Sequence, residues 1–337
     1  RGNPFEMAKG FILKGQTLTF TDDPFLVGPD TAAKCDADGA VWLEGGRIKD
    51  VGAAADILAR ANGVPVIDYG EALITAGFVD CHVHYPQLPI IASYGEQLLE
   101  WLERYTFPCE SAFEDTNYAR QIADRFLQEC LRNGTTTAAV FASVHPQSVD
   151  AFFEAATELG LRMACGKVMM DRNAPEGLLD TAETSYELSK KLLQKWHKIG
   201  RNIYAITPRF APTSSPEQLR AAGSLWREHP DALMQTHLSE NVDEIKLVKE
   251  LFPEQQDYLA VYETYELLGP GAIFGHAIHL SQRERDALRN SGSAVAHCPT
   301  SNMFIGSGLF DIAGLRGVSP PVTVGLASDV GSGSSLS

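Results

Sequence analysis

The feature that most constrains the fold is the regular alternation, from residue 78 onward, of short apolar segments with longer segments of helical spacing. Eight short segments have the length and apolar content of strands: FVDCHVHY, TTTAAVFAS, LRMACGKVMM, NIYAITPRF, ALMQTHLSE, GAIFGHAIHL, SAVAHCPTSN and VTVGLASDVG. Between them, stretches such as 116–133 and 180–199 carry apolar residues at near-helical spacing. Strands that alternate with helices in this way predict an α/β protein built as a (β/α)8 TIM-like barrel rather than an open sheet.

The first part of the chain has a different pattern. Residues 8–75 contain the strand-like pieces GFILKGQTLTF, GAVWLEGGRIKDVG and PVIDYGEALITAG, broken by Gly and Asp. We therefore expect a small composite β domain over 8–75, a β-sandwich, followed by the barrel over 76–337. Only GSGSSLS follows strand eight, and a barrel strand is normally covered by a helix, so we expect the barrel to be truncated at this point.

Composition narrows the class of partner and the compartment. The formal net charge of −15 and the pI of about 5.0 disfavour binding to nucleic acid or to an anionic membrane surface, because phosphate groups are repelled by an acidic surface. No apolar run reaches the roughly 18 residues of a membrane span. The six cysteines form no CxxC pair, so we expect reduced thiols and a cytoplasmic protein.

Polar side chains recur where the predicted strands end, which in such a barrel is where chemistry takes place. His82 and His84 end strand one and point to the same side, since side chains alternate along a strand. His237 ends strand five, His276 lies in strand six and Asp329 ends strand eight. Each alone has a plain explanation as a core histidine or a turn residue, but together they would bury several polar groups at about 1–3 kcal/mol each if unpaired. A shared metal removes that cost, and neutral imidazoles with one carboxylate suit Zn²⁺, with Fe²⁺ as the alternative.

Three further residues near the strand ends have two explanations each, one as packing or charge balance and one as contacts to a purine base. Arg209 and Phe210 end strand four; the arginine either pairs with a carboxylate in the barrel mouth or presents its fork to the O6 and N7 acceptors of guanine. Phe210 either offers a face for stacking or simply packs. Gln87 lies just past the two histidines and carries both a donor and an acceptor.

The sequence motifs also resemble a known family. GFVDCHVHYPQ, ITPRF, THLSEN, GHAIHLS, AHCPTSN and GLASDVGSG occur in this order, together with YGEQLLEWLE at 94–103 and SNMFIGSGLF at 301–310. From about residue 8 to the end, the chain resembles the amidohydrolase superfamily of metal-dependent barrels, and within it the members that act on guanine. In that family, further helices and C-terminal strands complete the small β domain, so the resemblance implies that the second half of this domain is absent here.

The resemblance also implies roles for particular residues. It assigns one Zn²⁺ per chain to His82, His84, His237 and Asp329. It gives catalytic roles to Glu240, Asp329 and His276, with Glu240 moving protons between water and substrate. It assigns substrate contacts to His84, Tyr85, Pro86, Gln87, Arg209, Phe210, His237, Glu240 and Asp329.

The number of metals follows from a comparison within the superfamily. Its two-metal members use a carboxylated lysine at the end of strand four, and NIYAITPRF has no lysine. Lys167 lies in strand three, not at its tip, and we interpret it as an ordinary lysine. This comparison indicates a single metal. We interpret His279 as a structural residue or as one that supports a residue of the site.

The implied reaction is hydrolysis of free guanine to xanthine and ammonia, with a homodimer as the implied assembly. Asp329 orients and deprotonates the water, Glu240 protonates a ring nitrogen, His276 stabilises the attacking oxygen, and Glu240 or Asp329 protonates the departing amine. Two alternatives stay open: deamination of another purine, pyrimidine or triazine ring, and a catalytically silent relative retained for assembly.

Overall fold

The structure is a computed structural model that describes residues 10–336. The chain divides into two compact units, with the boundary between Gly77 and Phe78, close to the boundary expected after residue 75. The outer limits of the expected domains, residues 8, 9 and 337, lie outside the described residues. No helix in the described range is long and apolar enough to cross a membrane.

The first unit contains one four-stranded sheet with strand order β3-β2-β1-β4. β1 pairs antiparallel with β2 and parallel with β4, and β2 pairs antiparallel with β3. The strands are β1 (Phe11–Phe20), β2 (Ala33–Glu44), β3 (Arg47–Ala53) and β4 (Val66–Thr75), with short helices α1 (Pro24–Val27), α2 (Pro29–Ala32) and α3 (Ala54–Arg60). Gly45 and Gly46 both have positive φ, 58° and 75°, as a two-residue hairpin of the favoured type requires.

The second unit is a barrel of parallel strands. Eight strands follow one another in the order β13-β12-β11-β10-β9-β7-β6-β5, and the short β8 pairs with β9. The strands are β5 (Phe78–His84), β6 (Thr135–Phe141), β7 (Arg162–Gly166), β8 (Val168–Met169), β9 (Ile203–Pro208), β10 (Leu233–Leu238), β11 (Ala272–His276), β12 (Ala294–His297) and β13 (Thr323–Leu326). The predicted α/β fold with a (β/α)8 barrel is confirmed. The expected third strand is split into β7 and β8 at Lys167.

The two ends of this sheet meet through backbone hydrogen bonds. The Asp329 N–H donates to the His82 carbonyl at 2.9 Å, and the His84 N–H donates to the Val330 carbonyl at 2.8 Å. The segment that follows β13 therefore lies along β5, the strand that carries both histidines.

The helices of the second unit begin and end at residues with recognisable capping chemistry. Asp115 caps the 17-residue helix α6 by accepting from the N–H groups of Asn117 and Tyr118. Ser281 and Glu284 form a capping box at α12, and Gly160 ends α7 in the left-handed conformation. The helices are α4 (Leu98–Trp101), α5 (Phe107–Ser111), α6 (Thr116–Arg132), α7 (Pro146–Leu159), α8 (Ala182–Trp196), α9 (Pro216–Glu228), α10 (Val242–Leu251), α11 (Tyr258–Thr264), α12 (Gln282–Ser291), α13 (Pro299–Phe304) and α14 (Ile312–Arg316). A π-helical turn, Leu102–Thr106, joins α4 to α5, and a 3₁₀ helix, Tyr85–Ile90, follows β5.

The core between the barrel wall and its helices is rich in aromatic rings. Phe152 of α7 is fully buried, and its ring centroid lies 5.0 Å from that of Tyr85, 6.1 Å from Phe126 and 6.0 Å from Phe153. We expect Phe152→Ala to lower the free energy of unfolding by about 3–5 kcal/mol, because it leaves a cavity among rigid neighbours. Urea unfolding followed by tryptophan fluorescence measures the change.

A residue on the same helix provides the control for that experiment. Leu159 lies at the end of α7 and is 39% exposed, so Leu159→Ala is expected to cost less than about 1 kcal/mol. Equal losses of stability in the two variants would contradict the assignment of Phe152 to the core.

Candidate active site

Four histidines and an aspartate converge at the carboxyl ends of the barrel strands. His82 and His84 lie two residues apart on β5, His237 is the penultimate residue of β10, and His276 is the last residue of β11. Asp329 was expected to end strand eight, but it lies three residues beyond the end of β13. All five side chains are buried.

The distances within this group suit the binding of a single cation. Asp329 Oδ1 lies 3.3 Å from His84 Nε2 and 3.5 Å from His82 Nε2. His237 Nε2 lies 3.2 Å from His84 Nε2. Among the described residues, possible ligand atoms of His82, His84 and Asp329 lie within 4.8 Å of one another, as do those of His82, His237 and His276.

The orientation of the imidazoles leaves several nitrogen atoms without a protein partner. His237 Nδ1 lies 2.7 Å from the Arg209 carbonyl; because a carbonyl only accepts, this nitrogen carries the proton and Nε2 is free to bind a metal. Both ring nitrogens of His82 and the Nδ1 of His84 are buried without a hydrogen-bond partner in the range 10–336. Buried unpaired nitrogens are costly. The Nε2 atoms of His82 and His84 both face the Asp329 carboxylate, an arrangement that fits a bound Zn²⁺ or a similar divalent ion.

The ionisation of these groups also suits metal binding. Burial lowers the pKa of His82 and of His237 well below the usual value, so both imidazoles are neutral. Burial acts to raise the pKa of Asp329, but the hydrogen bond with His84 and the charges of His276 and His82 hold it well below its usual value. Neutral imidazole and ionised carboxylate are the forms that bind metal.

The backbone is strained at two residues of the group. His276 has φ of 66° and Asp329 has φ of 50°, a left-handed conformation that is uncommon for residues with a side chain. Such conformations cluster at functional sites, where the surrounding structure holds them in place.

Glu240 lies two residues after β10 and is buried beside the histidines. Its Oε2 lies 3.3 Å from His276 Nε2, and its Oε1 accepts a hydrogen bond from the Ser307 hydroxyl at 3.0 Å. Burial raises the pKa of Glu240 to about 7; the carboxylates of Asp329 and Glu244 add to the rise, while His276 and Ser307 oppose it. A carboxyl group with such a pKa can both accept and release a proton near neutral pH.

His276 is held between two carboxylates and an amide. Its Nδ1 lies 2.9 Å from the Asn302 Oδ1, and its Nε2 lies 3.7 Å from the Asp329 Oδ2. Burial acts to lower its pKa, but Glu240, together with Cys298 and Asp329, raises the pKa well above its usual value.

Gln87 and Arg209 are brought together by a residue that sequence reasoning missed. Glu110 of α5 is fully buried and accepts hydrogen bonds from Gln87 Nε2 at 3.0 Å and from Arg209 Nη1 at 2.7 Å. Phe107, one turn earlier, places its ring centroid 5.8 Å from the Arg209 guanidinium carbon. The only sequence signal for Glu110 is an acidic residue in an otherwise apolar segment, FPCESAF.

Two cavities adjoin these residues and share part of their walls. The inner one has a volume of about 20 Å³ and is lined by Leu98, Leu102, Arg209, Phe210, His237 and Glu240, which is room for about one water molecule. The outer one, of about 770 Å³, has a largely apolar lining that includes Leu102, Phe107 and Phe210. Phe210 therefore lies at the wall between them.

Tyr85 and Pro86, two of the residues expected to contact substrate, make contacts within the protein. The Tyr85 hydroxyl donates to the Ser148 carbonyl at 2.7 Å, and its ring packs against Phe113 and Phe152 in the aromatic core. Its side chain follows the alternation of β5 and lies on the other side from His84, so it is a packing residue. Pro86 is buried, and its carbonyl accepts from the Cys109 thiol at 3.1 Å.

His279 and Lys167, which we did not assign to the site, make contacts that stabilise the fold. His279 Nε2 donates to the Ser307 carbonyl at 2.8 Å. Lys167 is buried, forms an ion pair with Asp180 and donates to the Val168 carbonyl at 3.1 Å.

Comparison with known proteins agrees with this arrangement. The model of the family described as "Amidohydrolase family" matches residues 73–337. Guanine deaminase of Escherichia coli (strain K12) is 54% identical over 273 residues, which cover 81% of this chain and 62% of that protein. The chain thus spans less than two thirds of the length of this relative.

Solved structures show the same likeness. Guanine deaminase from Bradyrhizobium japonicum superposes with a TM-score of 0.95 and 40% identity, covering 98% of this chain and 72% of that one. Guanine deaminase from C. acetobutylicum, with guanine bound in its active site, superposes with a TM-score of 0.89 and 29% identity, covering 97% of this chain and 76% of that one. From its barrel, its strand-end histidines and the family match over most of its length, the chain belongs to the amidohydrolase family.

Proposed function

We propose that this protein deaminates guanine by hydrolysis, releasing xanthine and ammonia. The observation that carries the proposal is the position of Glu240. It lies between the residues fit to bind a metal and the side chains of Arg209 and Phe210, and its pKa is about 7. The names of the relatives support guanine as the substrate, since the E. coli protein is a guanine deaminase and the C. acetobutylicum structure holds guanine.

The metal in this proposal is Zn²⁺, one per chain, with Fe²⁺ as the alternative, held by His82, His84, His237 and Asp329. The chemistry that such a metal supplies when bound is activation of water as a nucleophile near neutral pH. The unpaired Nε2 of His82, the approach of His84 Nε2 to both Asp329 and His237 and the ionised state of Asp329 support this set of ligands.

The protein's own residues then account for the proton transfers. The water oxygen forms a bond to C2 of guanine, and Glu240 passes the first water proton to a ring nitrogen. Asp329, fixed by a hydrogen bond from Ser332 Oγ at 2.7 Å, takes the second proton and gives it to the amine as the C2–N bond breaks. His276, next to Glu240 and Asp329, stabilises the negative charge on the attacking oxygen.

Binding of the base falls to Arg209 and Phe210, which line the inner cavity, and to Gln87, which Glu110 joins to Arg209. Arg209 and Gln87 present donors to the O6 and N7 edge, and Phe210 offers its ring to the purine face. Because the inner cavity has a volume of only about 20 Å³, Leu98, Leu102 and Phe210 must move apart when guanine enters. We propose a cytoplasmic location and a homodimer on the resemblance alone; light scattering of the purified protein tests the dimer.

A panel of bases tests the proposed reaction. We expect ammonia release from guanine to exceed that from 8-oxoguanine, adenine, cytosine and a triazine, and elemental analysis to find about one zinc per chain. If ammonia were released faster from another base than from guanine, that base and not guanine would be the substrate. A metal-loaded protein that released ammonia from none of them would favour the catalytically silent alternative.

A further inference from the structure

Glu110 is held in the barrel mouth by hydrogen bonds to its backbone carbonyl and to its side-chain carboxylate. It lies on α5 with no exposed surface, and its backbone carbonyl accepts from the Ser143 hydroxyl at 3.0 Å. Its two carboxylate oxygens bind different partners, Oε1 the amide of Gln87 and Oε2 the guanidinium of Arg209. A buried carboxylate with these two bonds forms a bridge between Gln87 and Arg209, which we call the Glu110 bridge.

The bridge determines how its two partners can point. An ionised carboxylate only accepts hydrogen bonds, so the Gln87 amide must turn its NH₂ group toward Glu110, and the opposite rotation would bring two oxygens together. Arg209 has five N–H donors in a rigid fork, and only Nη1 has a protein partner among residues 10–336. Arg209 lines the inner cavity, so its other donors remain for a ligand there.

A buried ion pair of this kind can have either of two roles. The Glu110 bridge either balances the charge of a buried arginine and does nothing more, or sets the direction of donors that recognise the base. A buried carboxylate needs a partner on its second oxygen in either case, so the contact with Gln87 alone does not decide. The second role is favoured because Arg209 lines the inner cavity with donors that have no protein partner among the described residues.

We propose that Glu110 is a positioning residue for substrate specificity: through the Glu110 bridge it aims the remaining donors of Arg209 and the second N–H of the Gln87 amide at the 6-oxygen of the purine. The inference rests on the proposed function. Glu110 itself does not contact the substrate, so its loss acts on binding of 6-oxopurines and not on the chemical step.

The test compares two ligands that differ only at the 6-position. Xanthine carries oxygen at positions 2 and 6, and 2-oxopurine lacks the 6-oxygen. Inhibition constants for both are measured with the metal-loaded wild type, Glu110→Gln and Glu110→Asp. The control is Glu100→Gln, the same change at an exposed glutamate on α4.

We expect the wild type to prefer xanthine, and Glu110→Gln to weaken xanthine binding about 10–100-fold while binding of 2-oxopurine changes little. KM for guanine rises by a similar factor, with kcat less affected. Glu110→Asp keeps the negative charge beside Arg209 but is one methylene too short to reach both partners, so it loses part of the preference even if Glu110→Gln does not fold. Glu100→Gln behaves as wild type.

Each of the other outcomes counts against the inference. A folded, metal-loaded Glu110→Gln or Glu110→Asp that kept the full preference for xanthine would show that the bridge only balances charge. Equal weakening of both ligands would show a general structural role. A wild type with no activity on guanine would instead overturn the proposed function, and the inference with it.

Discussion

Glu240→Gln is expected to lower kcat for guanine by about 10²–10⁴-fold without loss of the bound metal. An amide has nearly the size of the carboxyl group but cannot accept and return a proton. Its oxygen can still accept the hydrogen bond from Ser307, so the position of the side chain is kept. Steady-state kinetics and metal analysis of the same preparation measure both quantities.

A matched control separates the loss of a proton carrier from a change in charge. Glu250 is exposed on α10, the helix that begins two residues after Glu240, and Glu250→Gln is expected to keep wild-type kinetics. If Glu240→Gln retained its zinc and turned guanine over at nearly the normal rate, Glu240 would not be the proton carrier.

His237→Ala is expected to reduce the metal content from about one per chain to a small fraction and to abolish activity with it. Changes to residues that merely orient metal ligands weaken binding about 10–100-fold, so removing a ligand should cost at least as much. The Nε2 of His237 lies 3.2 Å from that of His84, which places it well for a shared ion. Elemental analysis after gel filtration gives the metal content.

The control for this variant is a histidine remote from the strand ends. His229 follows α9 and precedes β10, at the opposite end of the strand from His237, and His229→Ala should retain the metal. A His237→Ala protein that kept one zinc per chain would remove His237 from the set of ligands.

The barrel could be predicted because its signal is local and repeated. Each strand of the second unit is a short apolar run bounded by polar or glycine residues, and helical spacing in 116–133 and 180–199 corresponds to α6 and α8. The first unit was harder to predict, because the sequence of a short strand only weakly indicates its register and the strand with which it pairs. Residues 10–77 form a single sheet in which β1 pairs with β4 across the intervening chain.

Parts of the site could be predicted for a similar reason. His82 and His84 share one side because alternation along a strand is a local property. The structure places His84 Nε2 3.2 Å from His237 Nε2 and 3.3 Å from Asp329 Oδ1, and His82 Nε2 3.5 Å from the same oxygen. The same alternation places the Tyr85 ring on the other side, in the aromatic core.

The residues that support the site were not predictable from local pattern. Asn302 and Ser307 lie in the segment SNMFIGSGLF, which was noticed only as a motif, and they hold His276 and Glu240 from far along the chain. Their side chains carry no charge, and nothing in their spacing distinguishes them from turn residues.

The amino-acid sequence alone therefore determined the barrel, the two histidines on one strand face and the chemical types gathered at the strand ends, since these follow from side-chain periodicity and the polarity of each segment. Only the tertiary structure decided which side chains meet. Glu110 lies 99 residues from Arg209 and 23 from Gln87, and it joins them because α5 packs its buried face over the mouth of the barrel. Contacts across such separations depend on how elements pack, and no periodicity within a segment encodes them.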